Sequence, residues 1–342
     1  MTFMPPGEHL DGTTAECAHL HLLLACFRAS PPPMRLPGVT GDPLPEVLAT
    51  GIIDPEVFRT GYAVMSDRYE QLGIRALLPL ERVWAGTRSA AGPGTARGYG
   101  GFHHPAQGYR HIQMDAAVTV FGDLTGQTPA SPQAAALDLV RSYAHDCLHY
   151  ATFRRYRLTD RGEIARVQYG INFRQPDGRT YSAPDIPGDG PTRNLGIVME
   201  GATDAEATSI ARQAAQSYGI TGTDVEAGLP GLVLADVTGT VTAGGIEAAL
   251  LLDHPYARPM GRFGRAVTLR YRALLSELGV SPADAHSQIV AAMISGDLAP
   301  VGAEHTGDLA AQHHHFMPQH QDPRPSILGC GPARRAGRTL GP

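Results

Sequence analysis

Lysine is absent from this chain of 342 residues, and all 28 of its basic side chains are arginine. A surface without lysine would evade lysine modification, although a GC-rich genome is the simpler explanation. Acidic residues outnumber the arginines, so that the formal net charge is -5. This balance leaves no basic field of the kind that holds nucleic acid, and we expect no nucleic-acid partner.

Cysteine is scarce and shows no CxxC spacing. The four cysteines are Cys17, Cys26, Cys147 and Cys330. Their scattered positions do not resemble a disulfide framework or a cysteine-based zinc site. We therefore expect a reducing, cytoplasmic setting, with Cys147 as a small core residue.

Long apolar runs are also missing. The run from Leu22 to Phe27 is too short to cross a bilayer, and no other segment reaches 18 apolar residues. The first residues lack the basic stretch that opens a secretory signal. We expect neither a membrane partner nor a membrane-spanning segment.

The composition predicts a large folded core between two irregular ends, since 42% of the residues are hydrophobic. Proline and glycine are frequent near the start, where one short helix at Ala18 to Phe27 is expected. Polar residues, including His313 to His315, dominate the end. The expected divisions are an N-terminal arm at 1–45, a main domain at 46–302 with its core at 109–218 and a helical part at 219–302, and a disordered tail at 303–342.

The spacing of apolar residues predicts an α+β fold, with a small mixed sheet packed on a helix and a mostly helical C-terminal part. Ser131 and Pro132 are expected to begin the histidine-bearing helix. A Pro-Asp-Gly turn at 176–178 predicts a hairpin. The expected strands are Tyr109 to Phe121, Ile164 to Phe173 and Arg179 to Ala183, and the expected helices are Pro132 to about Arg157, Leu195 to Tyr218, 245–252, 262–278 and 282–295.

Two short segments carry the chemistry that this sequence predicts. His-Asp-Cys-Leu-His places His145 and His149 four residues apart, and Met-Glu-Gly-Ala-Thr-Asp places Glu200 and Asp204 four residues apart. On helices, each pair falls on one face. Two histidines and one carboxylate are a common ligand set for a catalytic zinc ion, whose fourth position stays open for water. We therefore predict that His145, His149 and Glu200 bind Zn²⁺.

This constellation resembles the gluzincin metallopeptidases, the thermolysin-like zincins, over roughly residues 109–218. Their pattern is HExxH on one helix and a glutamate, in a Glu-x-x-x-Asp context, on a later helix. The resemblance implies a zinc-dependent hydrolase that acts on peptides, with Asp146 as general base and Asp204 supporting a zinc histidine. The strand at Tyr109 to Phe121 would then align an extended substrate. Asp146 replaces the family's glutamate, and its side chain is one methylene shorter.

A zinc hydrolase also needs a donor for the developing oxyanion. His254 and Tyr256, in Asp-His-Pro-Tyr, are candidates for this role, as are Tyr181 and Tyr218. Beside the expected strand, His103, His104 and His111 either line a cleft or belong to a solvated loop.

Several other interpretations are compatible with the same residues. His145 and His149 could be ordinary core or surface residues of a helix that binds no metal. Glu200 and Asp204 could be acidic residues that the helix macrodipole favours near the start of a helix. The metal site could also belong to a metal-dependent enzyme that tailors small molecules or peptides by another hydrolysis or lyase step. A catalytically inactive zincin-like binding module is a further alternative, whereas a di-iron hydroxylase would need additional histidine clusters. The sequence does not predict an oligomeric state.

Overall fold

A computed structural model describes most of the chain. The described residues are 6–29, 39–50, 53–89, 110–113, 132–175, 182, 185, 188, 190–220, 228–254, 256–298 and 301. Parts of several predictions therefore lie outside these residues: Ser131, the strand beyond residue 113, the turn at 176–178, and the expected tail.

Helices make up most of the described structure. The helices are α1 (Thr14–Ala29), α2 (Leu44–Ala49), α3 (Pro55–Gln71), α4 (Pro132–Ala151), α5 (Leu195–Ser217), α6 (Leu229–Val237), α7 (Ala243–Leu251), α8 (Ala257–Phe263), α9 (Leu269–Glu277) and α10 (Pro282–Ser295). A 3₁₀ turn spans Leu80–Arg82, and a π-helical segment, Gly264–Thr268, joins α8 to α9.

The described residues also form two small mixed sheets. The strands are β1 (Glu8–Leu10), β2 (Val39–Pro43), β3 (Val83–Ser89), β4 (Arg110–Gln113), β5 (Arg154–Leu158), β6 (Ile164–Tyr169) and β7 (Asn172–Phe173). One sheet has the order β1-β5-β6-β7, in which only the β1–β5 pair is parallel; the other has the order β2-β3-β4, in which β3 and β4 are parallel. The predicted α+β class, mostly helical with a small mixed sheet, is confirmed.

The observed bounds of two helices agree closely with those predicted from the sequence, because nearby residues cap the helix ends. Asn194 accepts the backbone N–H groups of Gly196 and Ile197 at the start of α5. Ser281 accepts the N–H of Asp284 at the start of α10, which ends at Gly296 in the left-handed region at φ 76°. Such caps satisfy backbone groups that the helix leaves unpaired, so they predict helix ends from sequence alone.

The expected end of the histidine-bearing helix is wrong. α4 ends at Ala151, and residues 154–157, expected to be helical, lie in β5, between β1 and β6. The guanidinium of Arg154 turns back and donates to the carbonyls of His149 and Tyr150, which lie in the last turn of α4. Partners from distant parts of the chain therefore outweigh the local helical preference.

The expected long strand at Ile164 to Phe173 is interrupted. β6 ends at Tyr169 and β7 begins at Asn172, so the hairpin turns at residues 170–171. Gly170 has φ 53°, a conformation that glycine adopts without steric cost. Tyr169 consequently stands at the end of its strand, next to the end of α4.

The N-terminal segment, expected to be an irregular arm, contributes to the sheet. β1 pairs in parallel with β5, and α1 begins at Thr14, earlier than the helix expected at Ala18 to Phe27. A buried ion pair joins Arg28 of α1 to Glu8 of β1, with hydrogen bonds of 3.0 and 2.6 Å. The first 29 residues thus include parts of the folded unit.

Helices α3, α4, α5 and α9 pack closely around the core. A Cβ added at Gly61 of α3 would lie 2.4 Å from Val140 of α4, and one added at Gly201 of α5 would lie 2.5 Å from Tyr271 of α9. Only glycine allows these approaches. Cys147 is fully buried, which confirms its expected place in the core. Among the residues described, no helix combines the length and the apolar character needed to cross a membrane.

Candidate metal centre

The metal centre predicted from the sequence lies where α4 and α5 face one another. Residues 141, 145 and 149 form one stripe on α4, because residues four apart share a face. Arg141 contacts Asp204, whereas His145 and His149 contact Glu200. The earlier part of α4 thus meets the later part of α5, so the two helices run antiparallel.

The three predicted ligands converge. His145 Nε2 lies 3.4 Å from Glu200 Oε1, and His149 Nε2 lies 3.3 Å from Glu200 Oε2. The three side chains form a group whose potential ligand atoms all lie within 4.8 Å of one another. The two imidazole rings stand edge to face, with centroids 4.6 Å apart.

The two nitrogen–oxygen separations, each to a different oxygen of Glu200, are compatible with a metal ion shared by the three side chains. Ligand atoms at about 2.0–2.2 Å from zinc lie about 3.3 Å from one another, close to the two distances observed. Typical N–H···O hydrogen bonds are shorter, about 2.7–3.2 Å. The three side chains could therefore hold a metal ion between them.

The site is open on the side of the carboxylate. The Glu200 side chain is 37% exposed, compared with 24% for His145 and 11% for His149. Burial alone would raise the pKa of Glu200, but the two imidazoles hold it well below its usual range. Burial would also lower the pKa of His145, yet Glu200, with smaller contributions from Asp146 and Asp204, outweighs it and raises that pKa.

Tyr169 contacts the side of the His149 ring that faces away from Glu200. Its hydroxyl lies 2.7 Å from His149 Nδ1 and 3.1 Å from the carbonyl oxygen of His149. Both contacts are satisfied when Nδ1–H donates to the tyrosine oxygen and the tyrosine O–H donates to the carbonyl. That tautomer leaves a lone pair on Nε2, as a metal ligand requires.

Asp204 has a different partner from the one expected. Its Oδ1 accepts a hydrogen bond of 2.9 Å from Arg141, instead of a bond from a metal-site histidine. Arg141 also donates to Asp236 at 3.2 Å, and Asp236 accepts the hydroxyl of Tyr256 at 2.5 Å. Asp204 therefore anchors a buried network one turn from His145, which it still influences through its charge.

The expected catalytic residues occupy different surroundings. Asp146 is 9% exposed and contributes to the electrostatic field at His145. His254 Nδ1 accepts the backbone N–H of Tyr256 at 3.1 Å, and Tyr256 itself is only 2% exposed. These contacts favour structural roles for His254 and Tyr256, and their oxyanion role stays a prediction.

The remaining candidates give little additional support. Tyr218 is the C-terminal cap residue of α5. Tyr181, His103 and His104 lie outside the described residues, and His111 is described only through the backbone of β4, which packs near α4.

Sequence reasoning missed two residues of this site, Arg141 and Tyr169. Arg141 stands four positions before His145, so the same helical spacing that selected the histidines predicts its place on their face. Tyr169 is 20 residues from His149 and reaches it only because the end of β6 lies beside the last turn of α4. No local pattern signals that contact.

Comparisons of the chain with protein-family models, with curated proteins and with solved structures gave no match. The functional argument therefore depends on the geometry of the site.

Proposed function

We propose that the protein is a zinc-dependent hydrolase whose metal is held by His145, His149 and Glu200. The observation that carries the proposal is the convergence of three donors from two antiparallel helices, with their potential ligand atoms within 4.8 Å of one another. Zinc bound there would supply Lewis-acid activation of water near neutral pH.

The side chains around the centre have distinct roles in this proposal. Tyr169 holds the His149 ring in the tautomer that presents Nε2, and Arg141 fixes Asp204 beside the first histidine. Asp146 accepts a proton from the attacking water and returns it to the leaving group. The exposed side of Glu200 provides the approach for a substrate.

Peptide-bond hydrolysis is the preferred reaction, and a zincin-like arrangement is part of the proposal. Its support is the order of the motifs, with HxxxH on one helix and Glu-x-x-x-Asp on a later antiparallel helix. The pairing of Asp204 with Arg141 departs from the gluzincin pattern and favours the second candidate, a metal-dependent enzyme that tailors small molecules or peptides. An inactive binding module would be favoured by a dismantled donor set.

Elemental analysis tests the metal centre. Untagged protein ending at residue 302, which removes the His313–His315 run, should bind about one equivalent of zinc after purification. His149→Ala should lose this zinc because Nε2 is one of three protein ligands. His19→Ala is the matched control, since His19 is an exposed histidine on α1. Absence of stoichiometric zinc from the unsubstituted protein would exclude the proposed function.

Asp146→Asn tests the proton acceptor. The amide keeps the size of the side chain but cannot accept the proton, so we expect hydrolysis to fall by roughly 10²–10⁴-fold while the zinc content is unchanged. Cleavage of a mixed peptide library, followed by mass spectrometry, provides the assay. Undiminished cleavage by the variant would assign the proton transfer to another group.

A further inference from the structure

A cluster of arginines lies beside the candidate metal centre, at the C-terminal end of α4. Arg154 donates to the carbonyl of His149 at 2.8 Å and to that of Tyr150. Arg166 places its guanidinium carbon 4.4 Å from the centre of the Tyr169 ring. Arg154 and Arg174 are both close enough to Arg166 to disfavour its charge.

Arg166 has no acidic partner within the described ranges of the chain. Its half-buried side chain forms neither an ion pair nor a hydrogen bond there. Burial lowers the pKa of Arg166 to about 10, Arg174 and Arg154 act in the same direction, and Tyr156 and Tyr169 oppose them. A desolvated cation without a counter-ion is unfavourable, so an anion bound at this position would relieve a cost already present in the fold.

Several other arginines of this protein have carboxylate partners. Arg68 pairs with Glu206, Arg141 with Asp204 and Asp236, and Arg270 with Asp185. Arg166 instead places its guanidinium carbon over the Tyr169 ring, and its N–H groups form no hydrogen bond within the described ranges. Those N–H groups form the fork that binds carboxylate or phosphate oxygens in pairs.

Tyr169 connects this guanidinium to the metal centre. The ring on which Arg166 stacks also stacks with His149, at a centroid distance of 5.9 Å, and its hydroxyl contacts His149 Nδ1. The Tyr169 side chain would thus lie between an anion held by Arg166 and His149, a predicted metal ligand. A position this close to the site of reaction is suited to a charged group of the substrate.

We propose that Arg166 binds an anionic group of the substrate, a carboxylate or a phosphate, beside the metal centre. The inference rests on the proposed hydrolase and adds its substrate class: a peptide or small molecule that carries anionic oxygens near the bond that reacts. The specificity of the site then comes from a guanidinium on the sheet, whereas the metal ligands come from two helices.

The test is the binding of inorganic phosphate and of acetate, measured calorimetrically on zinc-loaded and metal-free protein. Arg166→Gln should weaken binding of the preferred anion by at least about tenfold in both forms, because a charge-assisted pair of hydrogen bonds is lost. Arg155→Gln is the matched control. Arg155 lies in the neighbouring strand, β5, and its guanidinium carbon is 5.6 Å from the centre of the Phe153 ring. This variant should bind the anion as tightly as the unsubstituted protein does.

Two further comparisons keep the outcomes distinct. Arg166→Lys retains the charge but loses the forked pair of N–H donors, so this variant should bind the anion several-fold more weakly than the unsubstituted protein. It provides the test if Arg166→Gln folds poorly. The ratio of phosphate to acetate affinity identifies the preferred oxyanion. Saturable binding that is unaffected in both Arg166 variants, or no saturable binding of either anion, would overturn the inference. A protein that takes up no zinc but binds anions through Arg166 would overturn only the proposed hydrolase.

Discussion

At the scale of single residues, the proposed metal centre depends on the orientation of two imidazole rings. His145 and His149 each present Nε2 to Glu200, and a rotated ring or the opposite tautomer would remove one of the three donors. For His149, the hydroxyl of Tyr169 specifies the tautomer through two contacts with the same residue. Partners of this kind commonly change metal affinity by about 10–100-fold when they are removed.

Tyr169→Phe should therefore weaken zinc binding by about 10–100-fold without unfolding the protein. Competition with a chromophoric chelator measures the affinity, and ¹⁵N shifts of the His149 ring report which nitrogen carries the proton. Tyr62→Phe is the control, because Tyr62 is a partly buried tyrosine that packs against Tyr143. Equal affinity and an unchanged proton position in Tyr169→Phe would remove Tyr169 from the site.

At the scale of helices, a buried carboxylate joins three of them. Glu206 of α5 is 2% exposed and accepts hydrogen bonds from Arg68 of α3 and from His286 Nε2 of α10, the latter at 2.7 Å. Tyr271 of α9 contacts the other ring nitrogen of His286 at 2.9 Å. The network fixes α5, and hence Glu200, against the helices behind it.

This network predicts a loss of stability in acid. Burial alone would raise the pKa of Glu206, but His286 and Arg68 lower it from 4.5 to about 2. The ionised carboxylate thus stabilises the fold above about pH 4.5, and its contribution, about 3 kcal/mol, is lost as the pH falls toward 2. Glu206→Gln should remove this dependence and lower the free energy of unfolding by about 3–5 kcal/mol near pH 7.

Urea unfolding between pH 2 and pH 7 measures this effect. Glu247→Gln is the matched control, because Glu247 also pairs with an arginine, Arg265, but both side chains are about half exposed. An exposed pair contributes about 0–1 kcal/mol, so the control should retain the pH profile of the unsubstituted protein. Parallel profiles for both variants would show that the buried network does not govern acid stability.

At this scale, the sequence predicts the features that depend on local interactions and does not predict those that depend on contacts between distant residues. α5 and α10 were predictable because Asn194 and Ser281 cap them within three residues. The face shared by His145 and His149 follows from helical spacing, and Glu200 follows from a ligand set that zinc commonly uses. The end of α4 and the approach of Tyr169 depend instead on strand pairing between distant residues, which no local pattern encodes.

At the scale of the whole molecule, the described start of the chain belongs to the folded unit, whereas the sequence predicts a disordered tail at 303–342. β1 extends the sheet that contains β5 and β6, and the buried pair of Glu8 and Arg28 ties it to α1. His9 also stacks on Phe153, with ring centroids 4.5 Å apart, just after α4. The sheet edge that positions the end of α4 therefore includes residues from the start of the sequence.

Two truncations test this difference between the ends. Removal of residues 1–12 deletes β1 and leaves Arg28 buried without its carboxylate, so we expect a loss of about 3–5 kcal/mol and weaker zinc binding, since α4 loses support near His149. Removal of 303–342 should leave the cooperative melt and the zinc stoichiometry unchanged. Glu8→Gln separates the ion pair from the strand, because it leaves the backbone pairing of β1 intact. Calorimetry with zinc analysis measures each variant, and an N-terminal deletion as stable as the full chain would show that β1 contributes nothing to the fold around the proposed metal centre.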